Sequence, residues 1–183
     1  MPGSRQPLIR NINSGVPGLD AVMGGGFCEF SFNLIAGAPG TGKTTLVQQA
    51  IFANATKQRP AIYFTVLGEP AVKMMRYQQQ FSFFDQAKVP SLVRFVNLSQ
   101  EATTESLDAV LERIVAEVKA IGPGFVAVDS FRTIGSIIDS GGDQGRLAMA
   151  QFVQKLGQQL TTWEVTSFLL GEYTPEERRH PVF

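Results

Sequence analysis

Short apolar runs recur along the chain and predict five buried β-strands. Residues 61–67, with the sequence AIYFTVL, are rich in β-branched and aromatic side chains and lie between Pro60 and Gly68. This pattern is typical of a strand that is buried on both faces of a sheet. Four further runs have the same character, so the predicted strands are residues 31–36, 61–67, 92–98, 125–128 and 165–170.

The longer segments between these runs have the periodicity of helices. The clearest of them spans residues 105–121, where apolar side chains recur at steps of three and four residues and form one stripe along a helix. Gly122, Pro123 and Gly124 then end it. The predicted helices are residues 44–55, 70–81, 105–121 and 143–160.

This alternation of strands and helices predicts an α/β fold, with a mainly parallel sheet and helices on both of its faces. In sheets of this kind, ligands bind at the carboxyl ends of the strands. A functional site is therefore expected among the residues that follow Ala36, Leu67, Val128 and Leu170.

The composition narrows the class of protein. The 183 residues include 16 Lys and Arg against 16 Asp and Glu, and this zero net charge argues against nucleic acid as a partner. No apolar stretch approaches the roughly 20 residues of a membrane helix, so no membrane association is expected. The single cysteine, Cys28, cannot form an internal disulfide, which fits a reducing cytosol and predicts a cytoplasmic location. Charged residues make up only 17%, which favours a surface partly covered by a second copy of the chain.

A phosphate-binding loop is predicted between the first of these strands and the first helix. The segment matches the pattern of a glycine, four spacers, Gly-Lys and a Ser or Thr. Its glycines let backbone N–H groups turn inward around a phosphate, the lysine reaches the β- and γ-phosphates, and the hydroxyl of the last residue is a Mg²⁺ ligand. The predicted nucleotide-binding residues are Gly37, Ala38, Pro39, Gly40, Thr41, Gly42, Lys43, Thr44 and Thr45.

Three carboxylates are candidates for the rest of the site. Asp129 ends an apolar strand and, with a phosphate loop in the same sheet, is the expected second Mg²⁺ holder, directly or through a water. Ser130 follows it and either assists at a metal-bound water or caps a turn. Hydrolysis also needs a group that orients water, and Glu69 and Glu172 follow strands from which they can approach the γ-phosphate. For both, a solvated loop carboxylate is the alternative.

The motifs together resemble the KaiC-like branch of the RecA/RadA ATPases. They are SGVPGLD at residues 14–20, GGG at 24–26, the phosphate loop, and VAVDS at 126–130. The resemblance runs from about residue 12 to residue 183 and implies a RecA-like P-loop NTPase fold that binds ATP with Mg²⁺. It also implies catalytic roles for Lys43, Glu69 and Asp129, and a homo-oligomeric, hexameric ring with ATP at the subunit interfaces. Some members, notably circadian clock ATPases, also phosphorylate their own Ser or Thr residues, and a signalling protein partner is implied.

The chain departs from this family pattern in two ways. Relatives often carry two adjacent glutamates after the second strand, with a catalytic base among them. When Pro70 is taken as the following residue, the matching positions are Gly68 and Glu69, so either Glu69 alone carries the role or hydrolysis is weak. Relatives also continue beyond the motif that resembles HPVF at 180–183. Residues 1–183 are therefore expected to form one domain that lacks its final strands and to assemble poorly on its own.

Three functions remain open from the sequence. The leading one is a slowly hydrolysing ATPase module of a signalling or timing protein. The second is a nucleotide-binding interaction module that does not hydrolyse ATP, because Gly68 lies where relatives often carry the first of two glutamates. The third is a DNA-dependent ATPase of the RecA/RadA type, although the loop after Asp129 carries Asp139 and Asp143 against Arg146 alone, a poor balance for binding phosphates.

One aromatic cluster has no assigned chemistry. Phe81, Phe83 and Phe84 lie beside a predicted helix end. Burial in the core is the favoured interpretation, because phenylalanine is usually buried, and a partner surface is the alternative.

Overall fold

The computed structural model describes residues 10–66, 71–104, 106–131, 134 and 143–173. The strands are β1 (Asn11–Ile12), β2 (Phe27–Cys28), β3 (Phe32–Gly37), β4 (Ala61–Thr65), β5 (Val93–Asn97), β6 (Phe125–Asp129) and β7 (Thr166–Glu172). The α-helices are α1 (Leu19–Val22), α2 (Lys43–Asn54), α3 (Ala71–Gln78), α4 (Ser99–Thr104), α5 (Leu107–Ile121) and α6 (Asp143–Thr162), and a 3₁₀-helix spans Gln86–Lys88.

Five strands form one sheet in the order β3–β7–β6–β4–β5, and every neighbouring pair is parallel. The predicted α/β fold with a parallel sheet is therefore confirmed. Each of these strands lies within two residues of its predicted bounds. The order brings β6 between β7 and β4, so the carboxyl ends of β3, β7, β6 and β4 lie along one edge.

The two faces of the sheet carry separate hydrophobic cores, because successive residues of a strand point in opposite directions. In β6, Val126 and Val128 belong to the core shared with α4, α5 and α6. Phe125 and Ala127 belong to the core shared with α2. Asp129 continues the second series, so the strand alternation directs it to the face that α2 covers.

Helix α5 begins and ends at residues suited to those positions. The Ser106 hydroxyl accepts a hydrogen bond from the backbone N–H of Ala109 at 3.3 Å, and Gly122 ends the helix at a φ of 62°. The cap explains why the helix begins at Leu107, two residues after the predicted start.

Hydrogen bonds attach the segment that precedes the five-stranded sheet to α2. The sequence did not predict the two short strands of this segment. Strands β1 and β2 pair in antiparallel register, with Ile12 opposite Phe27. The side chain of Gln49 donates to the carbonyl of Gly15 at 2.5 Å, and that of Asn54 donates to the carbonyl of Asn13 at 2.7 Å. These bonds hold the SGVPGLD segment against the helix that follows the predicted phosphate loop. Within the described ranges, no helix has both the length and the apolar character that crossing a membrane requires.

Candidate nucleotide-binding site

The predicted phosphate loop connects β3 to α2 at the carboxyl edge of the sheet. Gly40 and Gly42 adopt φ angles of 76° and 85°, and α2 begins directly after Gly42. The Thr41 hydroxyl donates to the carbonyl of Ala38 at 2.8 Å, which closes the turn. Pro39, Gly40, Thr41 and Gly42 are exposed, so a ligand has access to the loop and to the N-terminus of a 12-residue helix.

The Lys43 side chain folds back across this loop. Its Nζ donates to the carbonyl of Gly37 at 3.1 Å and to that of Ala38 at 3.0 Å. Its ammonium therefore lies at the mouth of the loop, where the pattern places the positive charge that meets a phosphate.

Thr44, in the first turn of α2, contacts Asp129, at the end of β6, although 85 residues separate them in the sequence. The Thr44 hydroxyl donates to Asp129 Oδ2 at 2.6 Å. Both side chains are half-buried. The structure thus brings together the hydroxyl and the carboxylate that the sequence predicted from two separate motifs.

A third group at this carboxylate was not predicted. The Tyr63 hydroxyl donates to the same Oδ2 at 2.7 Å, and the tyrosine is fully buried. Desolvation by burial raises the pKa of Tyr63 well above its ordinary value, and the charge of Asp129 and the hydrogen bond to it add to the rise. Tyr63 therefore keeps its proton and remains a donor to Asp129.

Gln48 is a second polar residue that sequence reasoning missed at this site. It lies one helical turn after Thr44 on α2 and is fully buried. Its Nε2 lies 3.8 Å from the sulfur of Met74 on α3, and within the described residues its Oε1 accepts no hydrogen bond.

The remaining predicted residues have different outcomes. Glu69 lies outside the described residues, as do Gly68 and Pro70. Glu172 ends β7, is exposed, and pairs in register with Gly37, so it stands beside the phosphate loop. Ser130 is buried next to Asp129, with 7% of its surface exposed.

The Thr44 hydroxyl and the Asp129 carboxylate suit a Mg²⁺ ion that is bound together with a nucleotide. They suit a metal ion that is bound by protein side chains alone less well. Over the described part of the chain, no group of three or more His, Cys, Asp and Glu side chains is positioned to hold a metal ion. A hydroxyl and a carboxylate are present, and Mg²⁺ is ordinarily bound through one or two such groups plus substrate phosphates. The space beside Gly37 is also tight, because a Cβ there would lie 2.7 Å from the Thr41 hydroxyl. A glycine at this position keeps the loop closed around its own backbone, as a phosphate cradle requires.

The chain is similar to known proteins over most of its length. Residues 12–182 match the family described as ATPase: KaiC. The chain is 33% identical over 124 residues to the circadian clock oscillator protein KaiC of Prochlorococcus marinus and 34% identical over 123 residues to the DNA repair protein RadA of Brucella abortus. Each alignment covers 67% of this chain and 24% of the relative, so the chain spans about a quarter of the length of these curated relatives.

A solved structure extends the comparison to the fold. The crystal structure of a KaiC-like protein from the archaeon Pyrococcus horikoshii superposes with a TM-score of 0.71 at 28% identity, over 90% of this chain and 71% of that one. The family match encloses both the phosphate loop and Asp129. This chain therefore belongs to the KaiC ATPase family and has the RecA-like fold of that family.

Proposed function

We propose that the chain binds ATP with Mg²⁺ in the loop at residues 37–44 and hydrolyses it slowly. The observation that carries this proposal is the 2.6 Å hydrogen bond from Thr44 to Asp129. It joins the phosphate loop to the strand carboxylate, which is the pairing that magnesium nucleotides require in P-loop proteins.

Each residue has a distinct role in this proposal. The loop N–H groups and the N-terminus of α2 bind the phosphates, and Lys43 exchanges its bonds to Gly37 and Ala38 for bonds to the β- and γ-phosphates. Thr44 and Asp129 hold Mg²⁺, which when bound neutralises charge on the phosphate oxygens. Glu69 orients the attacking water, whereas Glu172, although it lies beside the loop, takes no part in the reaction.

The left-handed backbone of Gly42 gives a test with a matched control. Gly42 and Gly122 both have positive φ and open space where a Cβ would be. Alanine at either position is expected to cost about 1 kcal/mol of folding free energy, through backbone strain alone. Only Gly42→Ala should also weaken ATP binding, by about 10-fold, because it re-aims N–H groups of the loop. Equal ATP affinity in the two variants, measured by calorimetric titration, would contradict this role of the loop.

Phosphate release from Mg²⁺-ATP separates hydrolysis from binding. Glu69→Gln is expected to lower the steady-state rate by about 100-fold while ATP affinity is retained, because loss of a general base costs roughly two to four powers of ten. Glu172→Gln is the matched control and should leave most of the rate. Retained ATP binding with no release in the wild-type chain would favour the non-hydrolysing interaction module.

The biological output belongs to the same proposal. By similarity to the circadian clock protein of Prochlorococcus marinus, we assign the chain to a cytoplasmic signalling or timing protein that forms a ring with ATP at the subunit interfaces. We also propose that it phosphorylates its own Ser or Thr residues and binds a signalling protein. Mass spectrometry of the protein after incubation with Mg²⁺-ATP tests for both the ring and the phosphate.

A DNA-dependent ATPase is the second candidate, because the chain is also similar to a DNA repair protein. The zero net charge of the chain argues against it. If DNA stimulated phosphate release and the stimulation disappeared as the salt concentration rose, the DNA-dependent ATPase would become the favoured function.

A further inference from the structure

We propose that Tyr63 is a positioning residue for magnesium: its hydroxyl holds the Asp129 carboxylate in the orientation that receives the ion. This inference rests on the proposed function, and it concerns how the site distinguishes ATP with Mg²⁺ from ATP alone. It begins from the two hydroxyl groups, of Thr44 and Tyr63, that donate to one oxygen of Asp129.

The two hydroxyl donors bond to the same carboxylate oxygen of Asp129, Oδ2. Distances of 2.6 Å from Thr44 and 2.7 Å from Tyr63 to Oδ2 are those of strong hydrogen bonds to a charged acceptor. Within the described residues, no hydrogen bond to Asp129 Oδ1 is present. With Oδ2 held from two directions, rotation of the carboxylate is restricted, and Oδ1 is the oxygen left for a metal ion or a metal-bound water.

Tyr63 is held by the sheet rather than by the phosphate loop. It lies on β4, where Thr65 pairs with Asp129 and Tyr63 pairs with Ala127. Residues two apart on a strand share a face, so Tyr63 approaches Asp129 from within the core on the α2 side. Its ring is fully buried and packs on Phe95, with the ring centres 5.4 Å apart. The donor is therefore in place before any nucleotide binds, as preorganisation of a metal site requires.

Thr44 by itself is a poorer anchor for this carboxylate. Its oxygen is an expected ligand of Mg²⁺, and it belongs to the loop that must also receive the phosphates. A second donor on a rigid strand keeps Asp129 oriented while Thr44 adjusts to the ion. Partners of this kind behind a metal ligand typically change metal affinity by 10-fold or more when they are removed.

The test compares ATP binding with and without magnesium. A fluorescent ATP analogue is titrated into the wild-type chain, Tyr63→Phe and the exposed-tyrosine control Tyr77→Phe, first in EDTA and then at increasing Mg²⁺. The magnesium concentration for half-maximal enhancement of binding is expected to rise about 10-fold in Tyr63→Phe alone. The ATP affinity in EDTA should stay within about twofold of wild type in both variants, since a merely structural loss would lower the affinity with and without magnesium.

The outcomes separate this inference from the function on which it rests. A wild-type chain that binds no nucleotide in either condition overturns both. A wild-type chain that binds normally, with an unchanged magnesium requirement in Tyr63→Phe, overturns only the role of Tyr63. In an Asp129→Asn background, Tyr63→Phe should add nothing further, and an additional full 10-fold loss would also contradict the inference.

A measurement on the wild-type chain covers the case in which Tyr63→Phe does not fold. With tyrosine labelled by ¹³C at Cζ, the Tyr63 signal is assigned by elimination in Tyr77→Phe and Tyr173→Phe. It is expected to shift when Mg²⁺ is added to the ATP-loaded chain, because the ion withdraws charge from the carboxylate that the hydroxyl contacts. A signal that stays in place would overturn the proposal.

Discussion

Replacing Lys43 by alanine is expected to weaken ATP binding by about 100-fold or more. Hydrogen bonds to charged groups contribute roughly 1.5–3 kcal/mol each, and two of them to phosphate oxygens amount to at least two factors of ten in affinity. The lysine already lies at the mouth of the loop, 3.0–3.1 Å from two loop carbonyls, so little rearrangement is needed for it to meet the ligand. Calorimetric titration with ATP measures the effect.

Lys57→Ala is the control for this change, because it removes the same charge from an exposed position in the turn after α2. It should bind ATP as the wild-type chain does. Both variants should also unfold within about 1 kcal/mol of wild type, because the carbonyls that Lys43 releases can bond to water instead. Equal ATP affinity in Lys43→Ala and Lys57→Ala would contradict the proposal that the loop at residues 37–44 binds the phosphates of ATP.

Replacing Phe168 by alanine is expected to destabilise the fold by about 3–5 kcal/mol, the usual cost of emptying a large aromatic site in a core. Phe168 lies on β7, is 1% exposed, and meets the edge of Phe27 with ring centres 5.0 Å apart at 83°. It therefore joins the central sheet to the small antiparallel pair of β1 and β2. A loss of this size is a large fraction of the roughly 5–15 kcal/mol that stabilises a typical domain.

Chemical denaturation of Phe168→Ala and Phe81→Ala measures this contribution. Phe81 is 42% exposed and stacks on Phe83, so its removal should cost less than about 1 kcal/mol. Similar losses of unfolding free energy in the two variants would mean that the core between β7 and α2 contributes less stability than we expect.

Much of the sheet could be predicted because its strands are buried on both faces. Continuous apolar runs predicted all five parallel strands, and the position of the loop between β3 and α2 followed from a short pattern with a strand before it and a helix after it. The pair β1 and β2 was not predicted, since two residues are too few to show any periodicity. Helix α4, at Ser99–Thr104, was also missed, because its polar composition resembles a loop.

The site was only partly visible in the sequence, for a different reason. Lys43, Thr44 and Asp129 belong to motifs, whereas Tyr63 is one of several large side chains in a buried strand. Its role depends on which face of β4 it occupies and on the register between β4 and β6. A one-residue slip would reverse that face, and a single sequence does not specify register.

The three phenylalanines at residues 81, 83 and 84 differ in how deeply they are buried. Phe83 and Phe84 pack against Phe52 on α2, with ring centres 6.2 and 5.0 Å away, as the favoured interpretation predicted. Phe81 is 42% exposed, which the burial tendency of phenylalanine did not anticipate. Exposure at a helix end is decided by packing, and packing between elements is not encoded in local sequence.

We infer that this loop and Asp129 together bind ATP and Mg²⁺, and a crystal structure with Mg²⁺ and a non-hydrolysable ATP analogue is the direct test. We expect the β- and γ-phosphates to lie within residues 37–44, at roughly 2.7–3.2 Å from Lys43 Nζ. We also expect Mg²⁺ at about 2.0–2.1 Å from the Thr44 hydroxyl, with Asp129 bound to the ion directly or through a water. An empty loop at saturating analogue, or a nucleotide bound elsewhere on the chain, would contradict it.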